Sequence, residues 1–142
     1  MVVPLKCRRW VEKRGYKKAA GRGRTSYGGS YTSQDGMTIV IDPSSGRGGD
    51  VIAECEGTSI IAECKGGVLN TRHPGQVTHL RQGHCETIGL SLATPIVSGR
   101  RQYAVVPRTR VTERLAQKMA ARARAAGISI SLVDGDGNVV DV

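Results

Sequence analysis

Residues 49–67 read GDVIAECEGTSIIAECKGG, two short apolar runs separated by a turn. Runs rich in Val, Ile and Ala on either side of a Gly-containing turn predict an antiparallel hairpin. Side chains alternate between the two faces of a strand, so Glu63 and Lys65 should project from the same face. When the hairpin closes, Asp50 at the start of the first strand should come near Glu63. The sequence therefore predicts two carboxylates and an amine at one edge of a sheet.

This group of side chains has a chemical use. Carboxylate oxygens are the ligands that Mg²⁺ prefers, and the ion usually keeps several waters and contacts substrate phosphates. A lysine beside such a water could orient it or assist its deprotonation, and could offset charge on an attacked phosphate. Glu54 has the same parity as Asp50 and could face the same site. The alternative is an ordinary hairpin with a surface Glu–Lys pair, in which Glu54 is simply exposed.

The composition predicts one cytoplasmic domain. A chain of 142 residues is long enough for a real hydrophobic core. It has no run of about 18 apolar residues, so no membrane span is expected, and its N-terminal apolar segment is too short for a secretory signal. The cysteines lack any C-x-x-C spacing, and the two inside predicted strands, Cys55 and Cys64, are expected to be reduced and buried. The other two are Cys7 and Cys85.

The positive charge is concentrated at one end of the chain. The net charge is +9, and residues 1–25 hold nine Lys or Arg residues and a single acid, Glu12. Such a segment predicts a polyanionic partner, although a solvated basic tail is the alternative. A membrane surface fits less well, because the segment lacks a Leu-rich face. The candidate DNA-binding residues are Arg8, Arg9, Lys13, Arg14, Lys17, Lys18, Arg22, Arg24, Arg47, Arg81, Arg110 and Arg114.

Periodicity and turn residues predict a mixed sheet with helices packed on it. A basic N-terminal helix is expected over 4–20, weakened at Gly15, with a flexible Gly-rich basic loop within about 13–36, chiefly after Gly21. The remaining predictions are strands at 37–41, 50–56, 59–65, 102–106, 128–132 and 139–142, and helices at 74–93 and 110–126.

Each of the two later helices has a predicted buried stripe. In the first, His84 or Cys85 fills a gap in the stripe, and a histidine there is expected to be packed or half-exposed rather than catalytic. Gln76 and Arg81 lie near the start of that helix and are secondary candidates for contact with phosphate or water. The predicted stripes are Val77, Leu80, Ile88 and Leu92 in the first helix, and Val111, Leu115, Met119 and Ala126 in the second.

The element order and these motifs resemble the PD-(D/E)xK nuclease superfamily. Gly49-Asp50-Val51-Ile52 stands where the family has its Pro-Asp pair, and Glu63-Cys64-Lys65 matches its Glu-x-Lys. Within the superfamily, the chain is most similar to archaeal-type Holliday junction resolvases. They too are small and basic, with a Ser-Gly loop before the aspartate, here Ser45-Gly46.

The resemblance implies an α/β restriction-endonuclease-like core, with a mixed central sheet flanked by helices, forming a single nuclease domain over 1–142. It implies a Mg²⁺-dependent endonuclease, in which Mn²⁺ should substitute, acting as a homodimer on branched DNA. Asp50, Glu63 and the backbone carbonyl of Cys64 would hold the metal, Lys65 would act on the water, and Glu12 would complete the acidic site. Ser45 is a secondary candidate. The alternatives are a restriction-, repair- or toxin-type nuclease of this superfamily and a non-catalytic nucleic-acid-binding protein.

Overall fold

The computed structural model describes residues 11–20, 28–41, 50–55, 57–67 and 72–142. Eight strands form one mixed sheet, and their order across the sheet is their order along the chain. The predicted α/β class with a mixed sheet and helices is confirmed. The elements are β1 (Lys17–Ala20), β2 (Gly29–Thr32), β3 (Thr38–Ile41), β4 (Val51–Cys55), β5 (Thr58–Cys64), α1 (Pro74–Ala93), β6 (Arg100–Pro107), α2 (Arg110–Ala125), β7 (Ile128–Val133) and β8 (Val139–Asp141).

The sheet combines an antiparallel and a parallel part. Strands β1 to β5 pair antiparallel in sequence, and β8 pairs antiparallel with β7. Strands β5, β6 and β7 are parallel, and parallel neighbours need long crossover connections. α1 and α2 are those crossovers. The hairpin of β4 and β5 therefore lies at the junction of the two parts, beside the helices.

The N-terminal prediction was wrong in two places. The described part of the predicted 4–20 helix is 11–20, and only 11–13 of it are helical. Gly15 has a φ of 83°, a left-handed conformation that ends the helix before β1 begins. The predicted loop contains β2, whose Tyr31 is 0% exposed and pairs opposite Ile39 of β3. Pairing with β3 overrides the Gly- and Ser-rich local composition. Residues 1–10 and 21–27 lie outside the described part.

α1 begins at Pro74 and ends at Ala93, as predicted. Its predicted stripe is only partly right, since Leu80 and Ile88 are buried but Leu92 is 59% exposed. The rest of the buried face consists of small or polar residues: Gly83, His84, Thr87 and Ser91. The Thr87 and Ser91 hydroxyls donate to carbonyl oxygens one turn earlier, at 2.7 and 2.9 Å, so their burial leaves no unsatisfied hydroxyl donor.

α2 also begins as predicted, after the N-cap Thr109. The Thr109 side chain accepts a hydrogen bond from the Thr112 backbone N–H, and the Thr112 hydroxyl accepts one from the Thr109 backbone N–H. The buried face is displaced by one residue from the predicted stripe, whose members are only half-buried. Small residues at the buried positions let the helix approach β7 closely: Thr112, Ala116, Ala120 and Ala123.

Two clusters of buried side chains lie on opposite faces of the sheet. On the face that the helices cover, Val106, Ile130 and Leu132 pack with Ile88 of α1 and Ala116 of α2. On the other face, Val11 of the short N-terminal helix packs against Tyr31 and Ile41, among others. Within the described residues, no helix is long and apolar enough to cross a membrane.

Candidate functional site

The β4–β5 hairpin brings the two predicted carboxylates together. Val51 pairs opposite Ala62, so continuing the antiparallel register by one residue sets Asp50 opposite Glu63. The Cys64 backbone N–H donates to Oδ2 of Asp50 at 2.9 Å. Residues directly opposite each other share a face of the sheet. The Asp50 side chain therefore accepts a backbone N–H at the end of β5, and Asp50 lies opposite Glu63.

Glu63 faces the helices. It pairs in parallel register with Ala104, a residue of the cluster under α1 and α2. Only 9% of Glu63 is exposed, and it shares a narrow cleft with Ser91 of α1 and Gln102 of β6. A carboxylate in such a place needs polar partners, because burial of an unpaired charge is costly. The access to this carboxylate is restricted by α1.

Lys65 follows β5 directly and lies against α1. Its backbone N–H donates to the Val105 carbonyl at 3.0 Å, which continues the sheet by one bond. Its Nζ lies 2.7 Å from Oε2 of Glu86, and the two side chains are 44% and 51% exposed. Gly83, one turn before Glu86, makes room for the lysine: a Cβ there would lie 2.8 Å from Lys65 Cγ. The aliphatic part of Lys65 therefore packs against Gly83 of α1, and its ammonium group pairs with Glu86 of the same helix.

Sequence reasoning missed Gly83 and Glu86. A signal for each was present, since a glycine inside a helix costs about 1 kcal/mol relative to alanine and usually has a packing reason. Glu86 is the single acid of α1. What the sequence could not supply was the lateral position of α1 over β5, which decides that these two residues meet Lys65.

Glu12 does not join this site. Val11 packs the helical turn against Tyr31 and Ile41. Ile41 pairs opposite Val51, and Val51 pairs opposite Ala62, so all of these residues lie on one face of the sheet. Alternation puts Glu63 on the opposite face. Among the described residues, no three His, Cys, Asp or Glu side chains are gathered where they could hold a metal ion. The expectation that Glu12 completes the acidic site has no support in this arrangement.

The remaining donors still fit Mg²⁺. This ion is typically held by one or two carboxylates while waters and substrate phosphates complete its shell. Asp50 and Glu63 supply two carboxylates, and the Cys64 carbonyl belongs to the residue whose N–H already binds Asp50. A carboxylate has about four lone-pair positions, so one hydrogen bond leaves Asp50 able to bind further groups.

The secondary candidates lie apart from the pair. Glu54 is exposed and pairs opposite Ser59 at the turn end of the hairpin, four residues or about 13 Å along β4 from Asp50. Gln76 is exposed in the first turn of α1. Ser45 and Arg47 lie outside the described residues.

A basic groove of about 610 Å³ separates α1 from α2. Its cations are Arg81 from α1 and Arg110, Arg114 and Lys118 from α2. Within the described part, none of the four forms an ion pair or hydrogen bond with another side chain. The other lining residues are Cys85, Val111 and Leu115. Val111 and Leu115, predicted to be core residues, instead line the floor of this groove.

The other predicted DNA-binding residues lie at the far side of the sheet or outside the described residues. Lys17 and Lys18 are exposed on the edge strand β1, and Lys13 and Arg14 are exposed just before it. Cationic side chains therefore occur on both sides of the acid pair, which lies at β4 and β5. The candidates outside the described residues are Arg8, Arg9, Arg22 and Arg24.

His84 is packed in the interior, one of the two placements expected for it. It is 1% exposed, and neither ring nitrogen has a hydrogen-bond partner among the described residues. Burial lowers the pKa of His84 below its ordinary value, because a charged imidazolium is poorly solvated there. Burial therefore favours the neutral imidazole.

Comparison with known protein families, curated proteins and solved structures finds no match to this chain. The arguments for a function therefore come from the described geometry. It contains an acid pair at the end of β5, a lysine beside that pair, and a separate basic groove between the helices.

Proposed function

We propose that this protein is a Mg²⁺-dependent endonuclease of the PD-(D/E)xK type with a restriction-endonuclease-like core. Its proposed reaction is hydrolysis of DNA phosphodiester bonds, with four-way junctions as preferred substrates. The observation that carries the proposal is the hairpin register, which sets Asp50 opposite Glu63 with Lys65 two residues further on. This acid–acid–lysine set, at the end of the central strand β5 of a mixed sheet, agrees with the motif resemblance.

In the proposed site, Asp50, Glu63 and the Cys64 carbonyl would hold Mg²⁺, for which Mn²⁺ would substitute. A bound ion would supply a more acidic water and would polarise the phosphate. The Asp50 carboxylate is preorganised by the Cys64 N–H, so its orientation does not depend on substrate. Hydrolysis forms a bond from the water oxygen to phosphorus and breaks one sugar P–O bond, and the departing sugar oxygen gains a proton.

Lys65 is proposed to orient the attacking water and to offset charge on the phosphate. Its ammonium group is held beside Glu86, and its stem is held against Gly83. In this arrangement, Lys65 is proposed to act through its position and charge. A half-exposed pair can exchange partners at low cost, because exposed ion pairs contribute only about 0–1 kcal/mol.

Binding of DNA is proposed to use the cations on either side of the acid pair. Contacts with phosphates position a nucleic acid without reading its sequence, which suits a structure-selective enzyme. A homodimer would present two such sites to a four-way junction. We propose a cytoplasmic location, and reduced thiols at Cys64 and Cys85 agree with a reducing compartment. The Cys64 side chain is exposed, so the expectation that it is buried was wrong.

A second candidate function is nucleic-acid binding without catalysis. Two observations favour it: Glu63 is almost buried under α1, and Lys65 already has a partner in Glu86. In that case, Asp50 serves only to close the end of β5. This candidate predicts binding that metal does not affect and no cleavage under any condition.

The test is cleavage of a labelled four-way junction, a linear duplex and a single strand, each with Mg²⁺, Mn²⁺ or EDTA. Wild type is compared with Lys65→Ala and Asp50→Asn, and Asp136→Asn serves as the matched control. Asp136 is exposed in the β7–β8 turn, far along the sheet from β4. Metal-dependent paired nicks in the junction, lost in the first two variants and kept in the control, are expected.

Other outcomes discriminate between the alternatives. Cleavage of linear duplex as fast as the junction would retain a nuclease and discard the resolvase. Metal-dependent cleavage that survives both site substitutions would place the active site elsewhere. Tight binding with no cleavage in any metal would favour the non-catalytic protein.

A further inference from the structure

The basic groove between α1 and α2 is not used by the acid pair. Its four cations come from two helices and meet only through the tertiary fold: Arg81, Arg110, Arg114 and Lys118. No acid is among the described residues that line it. The two nearby glutamates are engaged elsewhere, since Glu86 pairs with Lys65 and Glu113 with Arg108 at 2.7 Å in each case.

The α2 cations form a row. Arg110, Arg114 and Lys118 are spaced four residues apart, so each lies about 6 Å along the helix axis from the next and the row spans about 12 Å. Like charges at this spacing repel one another and destabilise a helix by a few tenths of a kcal/mol per pair. A bound anion would relieve that repulsion, and Arg81 faces the row from across the groove.

The length of the row distinguishes a polymer from a small anion. One nucleic-acid strand carries a charge about every 3.4 Å of axis, so about 12 Å corresponds to three or four phosphates. A single phosphate would leave most of the row unneutralised. The half-buried Val111 and Leu115 between the cations give the groove an apolar floor that a backbone can lie on.

We propose that this interhelical groove binds the phosphodiester backbone of a nucleic acid. The proposal deepens the proposed function. It rests on that function only in identifying the bound polymer with the DNA that is cut.

The groove and the acid pair lie on different flanks of α1. Arg81 and Cys85 line the groove, whereas Gly83 and Glu86 contact Lys65. At 3.6 residues per turn, these two pairs are roughly 150° apart around the helix, whose diameter with side chains is about 10–12 Å. The backbone in the groove is therefore a different segment from the one at Asp50, and the bound DNA crosses α1.

The experiment measures binding without turnover. Fluorescence anisotropy of a labelled duplex and a labelled four-way junction is recorded in EDTA over a range of salt concentrations. The groove variant is Arg114→Gln with Lys118→Gln. The matched control is Arg101→Gln with Arg124→Gln, which removes the same charge from exposed positions that do not line the groove.

Each phosphate contact contributes about 0.9 to the slope of log K against log salt, so the groove variant should lose up to about 1.8 from that slope. The control should keep the wild-type slope. Equal losses in both variants would reduce the groove to general surface charge and overturn the proposal, as would a groove variant that binds like wild type. Unfolding midpoints of all variants, followed by circular dichroism, show that each is folded.

Two further arms identify the ligand class and separate this proposal from the nuclease. Millimolar inorganic phosphate or pyrophosphate should displace DNA no better than chloride at equal ionic strength, and complete displacement would assign the groove to a small anion. If the groove variant loses its slope but no metal supports cleavage by wild type, the groove proposal stands and the nuclease proposal fails. If wild type cleaves and the groove variant binds normally, only the groove proposal fails.

Discussion

Two glycines of α1 provide a direct test of how the helix receives Lys65. Gly83 is buried, and a Cβ added to it would lie 2.8 Å from Lys65 Cγ. Gly89, six residues later in the same helix, is exposed, and a Cβ there would meet nothing within 4 Å. The substitutions Gly83→Ala and Gly89→Ala are chemically identical, and the two sites differ in burial and in this contact.

The expected free energies of unfolding follow from two terms. Alanine is favoured over glycine in a helix interior by about 0.8–1.0 kcal/mol, so Gly89→Ala should stabilise the protein by about that amount. Overpacking typically costs about 1–3 kcal/mol, and the flexible lysine stem favours the lower end of that range. Gly83→Ala should therefore be neutral to destabilising by up to about 2 kcal/mol.

Urea unfolding followed by circular dichroism measures both variants, and a third protein isolates the cause. In a Lys65→Ala background the clashing Cγ is absent, so Gly83→Ala should then stabilise as much as Gly89→Ala. Equal stabilisation by the two alanines in the wild-type background would refute the packing of Lys65 on Gly83. If Lys65 acts in cleavage, Gly83→Ala should also slow cleavage while Gly89→Ala does not.

Three further predictions concern stability, each measured by urea unfolding. The pKa of His84 is lowered in the folded protein, so the unfolded chain binds more protons below about pH 6.5. The free energy of unfolding should therefore fall as the pH decreases below about 6.5, by at most about 1.4 kcal/mol per pH unit. His84→Leu should abolish this slope, whereas substitution of the exposed His79 by Leu should not. Thr109→Ala removes a reciprocal N-cap and should cost about 1 kcal/mol; a cost near zero would contradict the role of the cap. Ile130→Ala, at a fully buried position, should cost about 2–5 kcal/mol, whereas Ile96→Ala, at a position that is 83% exposed, should stay within about 0.5.

Much of the fold was readable from local signals. The β4–β5 hairpin, α1 and α2 lie within one or two residues of their predicted bounds. Pro74 and Thr109 start their helices for reasons contained in a single turn of chain, and Gly57 takes a φ of 78° in the hairpin turn. Such signals act over a few residues, so a sequence reports them without knowledge of the fold.

The buried helix faces were harder to predict, because hydrophobicity alone does not decide burial. Thr87 and Ala116 are buried, while Leu92 is exposed and Leu115 borders the basic groove. Small residues permit close approach of a helix to the sheet, and the larger apolar side chains then extend to its flanks. The spacing of apolar residues in the sequence does not reveal how closely each helix approaches the sheet.

The sequence by itself determined that Asp50 and Glu63 would lie opposite each other, because strand alternation and a short hairpin leave few other arrangements. Only the tertiary structure decided that Lys65 pairs with Glu86, that Val11, the neighbour of Glu12, packs on the opposite face, and that distant arginines line one groove. These outcomes depend on where each helix lies across the sheet. That position is set by packing between residues far apart in the chain, which no local pattern encodes.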